Sequence, residues 1–417
     1  MNILFIPHNL VCLNMMLRIS GELKKRGIIC DYWLKDDRPW HEHVDKTDLT
    51  ANFKVVNDQF IFSKNIFRAH FPLIKLFYFF RYKKIFIKLF SKYNIVCASE
   101  DSSIIYSMIL GCSKKSKRVL LQESVYLNWY DAFGVQKDFM NSKIEYFFHI
   151  LKKTITLIFS NIFFIKNFSN HIYGKSYFDV FYIYSNYYLN VFSYSKNRKI
   201  IIGRLHYPEI KTVQIFPVKD TRPIVSVFNT NFSPHGNLSV RKNYYFGVRE
   251  LIYIMNICKA NFSEKILFIL KVKADSSQYV FFKRLASKYN FIIINSYSAL
   301  DIHNISNVSI CSDFTMAAFE SLIVDRIPIY TCITYPANRK KAMLKLLDKQ
   351  FILIDNENEL IDTINNYCFN KDNTCGINPV SLKTKYFGTD IDAEKQADIF
   401  LQNALKNYDK KGKNLSR

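Results

Sequence analysis

The chain has 417 residues, with 58 Lys and Arg against 35 Asp and Glu, for a net charge of +23. Hydrophobic residues make up 49% and charged residues 22%, which excludes a disordered chain and leaves room for two or three cored domains. A protein this basic seeks phosphate on a nucleotide, a nucleic acid or an anionic membrane face, and charge alone does not choose among them.

In chain order, Ile3–Pro7 reads as a buried strand. His8 opens a loop, Met15–Arg26 has helical spacing of apolar residues, Gly27 stops it, and Ile28–Trp33 resumes as a strand. No GxGxxG follows the first strand, so the βαβ start is not a dinucleotide fingerprint. Phe67–Tyr93 interleaves Lys and Arg with Phe, Tyr, Leu and Ile. Two readings fit that stretch: a helix packing its aromatic face inside the domain, and a basic-aromatic surface resting on an anionic membrane. Asn94–Ala98 and Val119–Gln122 are further strands, and each ends in polar residues that include Asp101 and Glu123. Lys143–Phe168 is a second basic, apolar helical stretch, whose uncharged run is too short to span a bilayer. Phe178–Tyr184 and Lys199–Ile202 read as strands leading to Gly203-Arg204, and a linker follows at Val218–Arg222.

The pattern then restarts. Strands are expected at Pro223–Asn229, Lys265–Val272, Phe291–Asn295 and Ile352–Ile354. Thr230–Tyr244 reads as a polar loop, with helices at Phe246–Lys259, Gln278–Tyr289, Glu357–Tyr367 and Ile391–Leu405. Between them lies SDFTMAAFESLIVDRIPIY, from Ser312 to Tyr330. It reads as a strand end, a polar turn (Ser312, Asp313, Thr315), a short helix carrying Glu320, a breaker at Asp325-Arg326 and a strand. Polar groups at the carboxyl ends of parallel strands are where ligands bind. The phosphate candidates are Asn229 or Thr230, Lys271, Lys273, Ser312 and Thr315, with Asp313 and Arg204 as further nucleotide-site candidates and Glu320 placed for ribose hydroxyls. An ordinary helix cap with a solvent-facing acid is the plain alternative. The candidates for a general base are Glu123, Asp101 and His8.

Several chemistries lack their signatures. There is no GxSxG, HExxH, Walker loop or kinase motif set. The nine cysteines show no CxxC or metal-ligand spacing, so reduced, buried thiols are expected and a metal site is not. Met1 runs straight into a strand pattern, so the expected location is cytoplasmic.

Six segments in order resemble GT-B glycosyltransferases of the bacterial surface-polysaccharide type, and the related UDP-sugar 2-epimerases. They are the opening Ile3–Pro7 with its helix and Gly27, RVLLQES at Arg118–Ser124, KIIIGRLHYPE at Lys199–Glu209, FILKVKADSS at Phe268–Ser277, the Ser312–Tyr330 motif, and YFGTDIDAEKQADIF at Tyr386–Phe400. Glu123 stands where such chains commonly have His, and Asp325-Arg326 replaces a Gly-Lys pair. The resemblance implies an α/β GT-B fold, two Rossmann-like βαβ domains facing each other across a cleft. The expected division is an acceptor domain at residues 1–211, a nucleotide-sugar domain at 212–390, and a helix with a basic tail at 391–417. It implies a metal-independent enzyme with no tightly bound cofactor, taking a nucleotide-sugar as donor and a lipid-linked or growing polysaccharide as acceptor. Such an enzyme would lie on the inner face of the plasma membrane through Phe67–Tyr93 and Lys143–Phe168, with no nucleic-acid partner. The alternatives are an epimerase-like enzyme, a CDP-alcohol polymer-phosphate transferase and a non-catalytic basic membrane-binding protein.

Overall fold

Runs of Ile, Val, Leu and Phe with few interruptions are the signature of strands buried on both faces, and they form two all-parallel sheets in the computed structural model. It describes residues 1–7, 10–33, 54–55, 83–84, 87–99, 113, 115–123, 125, 178–193, 195–205, 210–213, 215, 220–228, 238–272, 279–312, 316–347, 351–370 and 378–406. Contacts sort these into two units, one of Met1–Ser124, Phe148–His206 and Lys385–Arg417, the other of Val125–Phe147 and Tyr207–Thr384.

The first unit contains β1 (Asn2–Ile6), α1 (Leu10–Lys25), β2 (Ile29–Tyr32), β3 (Lys54–Val55), β4 (Ile95–Ala98), β5 (Lys117–Leu121), β6 (Val180–Ile183), α2 (Tyr187–Val191) and β7 (Lys199–Ile201). Its seven strands run in the order β3-β2-β1-β4-β5-β6-β7. The expected strands all appear, and β3 is an addition that the sequence pattern did not show.

The second unit contains β8 (Ile224–Phe228), α3 (Leu238–Phe262), β9 (Leu267–Lys271), α4 (Tyr279–Tyr289), β10 (Ile292–Ile294), α5 (Ala299–Ile305), β11 (Val308–Cys311), α6 (Met316–Glu320), β12 (Ile329–Thr331), α7 (Ala337–Leu346), β13 (Ile352–Ile354) and α8 (Glu357–Asn365). The six strands run β10-β9-β8-β11-β12-β13. Each sheet therefore winds outward from its first strand to both sides, in the same order. The reversals lie between β1 and β4 and between β8 and β11, the places where an open parallel sheet leaves a crevice at its carboxyl edge.

Helix α3 begins at Leu238, so the end of the expected Thr230–Tyr244 loop is helical. No proline lies from Leu238 to Phe262, so nothing in the sequence forbids helix there. Helices α5 and α7 were not expected either, nor was α9 (Pro379–Phe387). Each is only two or three turns long, too short for apolar periodicity to stand out.

The final helix, α10 (Ala393–Leu405), belongs by contact to the first unit. Its Phe400 is fully buried, and its ring stacks on Phe5 at 6.2 Å and Tyr182 at 5.4 Å. Burying such a ring contributes about 2–3 kcal/mol. The Tyr182 hydroxyl donates to the Phe400 carbonyl at 2.6 Å, and Arg26 pairs with Asp398. The buried Gln396 amide donates to the carbonyls of Ile202 and Arg204, at 3.1 and 3.0 Å.

That contact brings together two of the segments in the resemblance. Gly203 and Gly388 both have left-handed backbones, with φ of 74° and 80°. A Cβ on Gly388 would fall on the Tyr184 carbonyl oxygen and 3.3 Å from the Gly203 Cα. Only glycine permits both the conformation and the approach.

Of the two stretches expected at a membrane, Lys143–Phe168 lies outside the described residues, as does most of Phe67–Tyr93. At the described end, Leu89, Phe90 and Tyr93 are buried, while Lys83, Lys84, Ile87 and Lys88 are exposed. Phe90 packs edge-on against Trp33, and the Tyr93 hydroxyl donates to Asp31 at 2.8 Å. This end is an amphipathic segment with its aromatic face in the core. Among the described residues, no helix is long and apolar enough to cross a membrane. None of the described cysteines forms a disulfide.

Candidate functional site

Strand register sets the site in the second unit. Lys271 pairs with Phe228, and Phe228 with Cys311, so the carboxyl ends of β9, β8 and β11 form one row. Lys271 ends its strand only 8% exposed, and its ammonium donates to the Val272 carbonyl at 2.8 Å. Burial pushes its pKa down to about 8, and the Glu320 and Asp301 carboxylates oppose that shift. A cation enclosed at a strand end with two carboxylates around it is an arrangement whose charge balance responds to an arriving anion.

Glu320 is the last residue of α6 and is half-buried. After it the helix tightens into a 3-10 turn, Ser321–Val324, which Asp325 closes with a left-handed φ of 55°. The position keeps the backbone conformation that glycine takes most easily although the residue is Asp, one of the few that tolerate it. Ser312 is fully buried. Its hydroxyl donates to the Phe228 carbonyl at 3.4 Å, and its own carbonyl accepts from the Tyr335 hydroxyl at 2.9 Å. The structure thus places Ser312 as a tie between β8 and the end of β11.

Three groups escaped the sequence reading. Asp301 and His303 lie on α5, one of the unexpected helices. Asp301 is 1% exposed and forms a capping box with Ser298, and its second oxygen accepts from the Lys211 amide at 2.7 Å. The S-x-x-D spacing of Ser298 and Asp301 was the available signal. His303 is fully buried, with its ring stacked on Phe228 at 4.1 Å. Glu250, from α3, is the third. It is fully buried and accepts from the Ile333 and Thr334 amides and the Thr334 hydroxyl, at 2.7–2.8 Å. It holds the loop that leaves β12, and no local pattern marks it.

In the first unit, Glu123 lies two residues past β5 and is half-buried. The Cys12 thiol in the first turn of α1 donates to its Oε2 at 3.6 Å. The neighbouring Gln122 is committed to the fold, its Oε1 accepting from the Tyr184 amide at 2.9 Å. Arg204 falls in the first unit. Its guanidinium sits 4.4 Å over the Phe387 ring, and its amide donates to the Phe387 carbonyl at 2.9 Å. His8, Asp101, Asn229, Lys273, Asp313 and Thr315 lie outside the described residues. Among the described candidates, the Glu320 carboxylate acts electrostatically on Lys271, and Ser312 ties the end of β11 to β8.

No protein-family model and no curated protein sequence matches the chain. Solved structures do. The glycotransferase of kitacinnamycin aligns over 96% of this chain and 98% of its own, at a TM-score of 0.56 and 10% identity. Arabidopsis thaliana UGT89C1 aligns over 97% and 99%, at 0.51 and 13%, and spinosyn forosaminyltransferase SpnP over 97% and 99%, at 0.51 and 10%. Structures of UGT89C1 complexed with UDP, UDP-L-rhamnose and quercetin also align with this chain. At these identities the likeness is one of fold, and that fold is GT-B.

Proposed function

We propose that this protein is a glycosyltransferase that takes a nucleotide-sugar at the carboxyl edge of its second sheet. The observation that carries the reading is the buried Lys271 at a strand end, in electrostatic contact with Glu320 of the helix after β11. In this account Glu320 accepts hydrogen bonds from the ribose, and Lys271 meets the diphosphate. UGT89C1, which shares the fold, is solved with UDP and UDP-L-rhamnose, making a uridine diphosphate donor the first probe.

The chemistry follows from those charges. Where the reaction inverts configuration, Glu123 takes the proton from an acceptor hydroxyl, whose oxygen attacks the anomeric carbon. The bond from that carbon to the diphosphate oxygen breaks, and the nucleoside diphosphate leaves with the electron pair. Lys271 stabilises the negative charge that develops on the leaving group, which lowers the barrier without a separate proton transfer. The Cys12 thiol fixes the orientation of Glu123. Asp101 and His8 are the other candidates for the base. A lipid-linked or growing polysaccharide on the cytosolic membrane face is the proposed acceptor, a reading that rests on the net charge of +23 and the basic-aromatic composition of the two stretches.

Thermal-shift screening against UDP-, GDP-, CMP- and CDP-linked donors tests the donor half, because a ligand bound to the native state raises the melting temperature. One nucleotide class should stabilise the protein saturably, and Glu123→Gln should bind it normally while losing about a hundredfold or more in turnover. No stabilisation by any of the four would refute the reading. Conversion of a UDP-sugar to its epimer without an acceptor would reassign the enzyme.

A further inference from the structure

Helix α6 is five residues long before its pitch tightens at Ser321. Side chains meet two carbonyls of this helix. The Ser321 hydroxyl donates to the Ala318 carbonyl at 2.7 Å, and Nε2 of His303 meets the Ala317 carbonyl at 2.7 Å.

The second bond comes from another element, α5, and it fixes a tautomer. A carbonyl only accepts, so Nε2 carries the proton. Nδ1 is then an acceptor, and the Ser309 hydroxyl donates to it at 2.9 Å. With its hydrogen so used, the Ser309 oxygen accepts from the Ser226 hydroxyl at 3.1 Å, whose hydrogen is shared with the Val308 carbonyl at 3.4 Å. The donors thus run in one direction, from Ser226 on β8 through Ser309 on β11 and His303 to α6. Burial holds the ring pKa near 3, with the Arg326 guanidinium acting in the same sense, so the ring is neutral at ordinary pH.

We propose that His303 is a positioning residue for the nucleotide site: its single N–H fixes the Ala317 carbonyl, and with it Glu320 three residues further along the same short helix. The proposal rests on the nucleotide-sugar reading above for what Glu320 does, and on the hydrogen bonds alone for what His303 does. A histidine kept only for packing would be replaceable by any side chain that fills the space over Phe228. Here the Nε2 donor is required.

Three variants separate these roles. The amide of His303→Gln reaches the Nε2 position, that of His303→Asn reaches only the Nδ1 position, and His303→Phe fills the space with no donor. Hydrogen exchange in the peptide covering residues 316–324 should speed up about tenfold in His303→Asn and His303→Phe, and stay within about threefold of wild type in His303→Gln. Calorimetric titration with UDP should follow the same order, with about tenfold weaker binding in His303→Asn and recovery in His303→Gln. Equal exchange in the Gln and Asn variants would overturn the positioning role, and this comparison stands even if the Phe variant does not fold. Split exchange with unchanged UDP affinity would overturn the link to Glu320. Split exchange in a wild-type protein that binds none of the nucleotides would refute the nucleotide reading and leave the positioning of α6 in place.

Discussion

The two sheets wind in the same order but line their carboxyl edges differently. At the edge of the first, Gln122 is spent on the Tyr184 amide, and the half-buried Glu123 has a thiol donor in Cys12. At the edge of the second, Lys271, Asp301 and Glu250 are enclosed by protein, and the half-buried Glu320 acts on the Lys271 charge. Enclosing an ion costs free energy that only good partners or a ligand offset. The contrast teaches that topology supplies two crevices, while the residues at the strand ends decide which can hold an anion.

The largest test of the contrast is in the first unit, whose geometry depends on close packing. Gly388→Ala would put a methyl group on the Tyr184 carbonyl in a left-handed backbone, and should cost about 3–4 kcal/mol of stability in thermal or chemical unfolding. In the second unit the sensitive element is a charge. Glu250→Ala strands the three donors it satisfies and should cost about 3 kcal/mol, whereas Glu250→Gln, which keeps one carbonyl acceptor, should cost about half that. If both Glu250 variants unfold like wild type, the enclosed carboxylate does not organise that edge. The smallest effect is expected at Asp325→Gly. Relief of the left-handed strain, less the added freedom of the unfolded chain, should raise stability by about 0.5 kcal/mol, while Asp325→Val should lower it.

Much of the fold was legible because parallel strands buried on both faces write long apolar runs. Ile3–Pro7, Asn94–Ala98 and Lys265–Val272 each announce themselves in this way, and the GT-B likeness followed from the order of six motif-bearing segments. Helix α5 did not, since seven residues hold too few turns for a periodic signal, and Asp301 and His303 were missed with it. Glu250 was hidden for another reason. Its partners, Ile333 and Thr334, lie more than eighty residues away, and pairing at that distance leaves no local mark. Ser312 was found by its motif, yet its hydroxyl turned inward, because a strand end must satisfy its own backbone before it serves a ligand. Lys271 and Glu320 were each legible, one as a strand-end lysine and the other as a helix acid, but their mutual electrostatics needed the register of β9, β8 and β11.

The central claim is that the second edge, and not the first, holds the nucleotide. Calorimetric titration of UDP, or of whichever nucleotide stabilises the protein, into wild type, Lys271→Met, Glu320→Gln and Glu123→Gln tests it most directly. Wild type and Glu123→Gln should bind with the same affinity, Glu320→Gln about tenfold more weakly, and Lys271→Met at least as weakly while remaining folded, since Met fills the ammonium's space without its charge. The wild-type affinity should also fall as pH rises through about 8, because Lys271 then loses the proton that makes it a cation. Equal affinity in wild type and Lys271→Met, with no change across that pH range, would contradict the account.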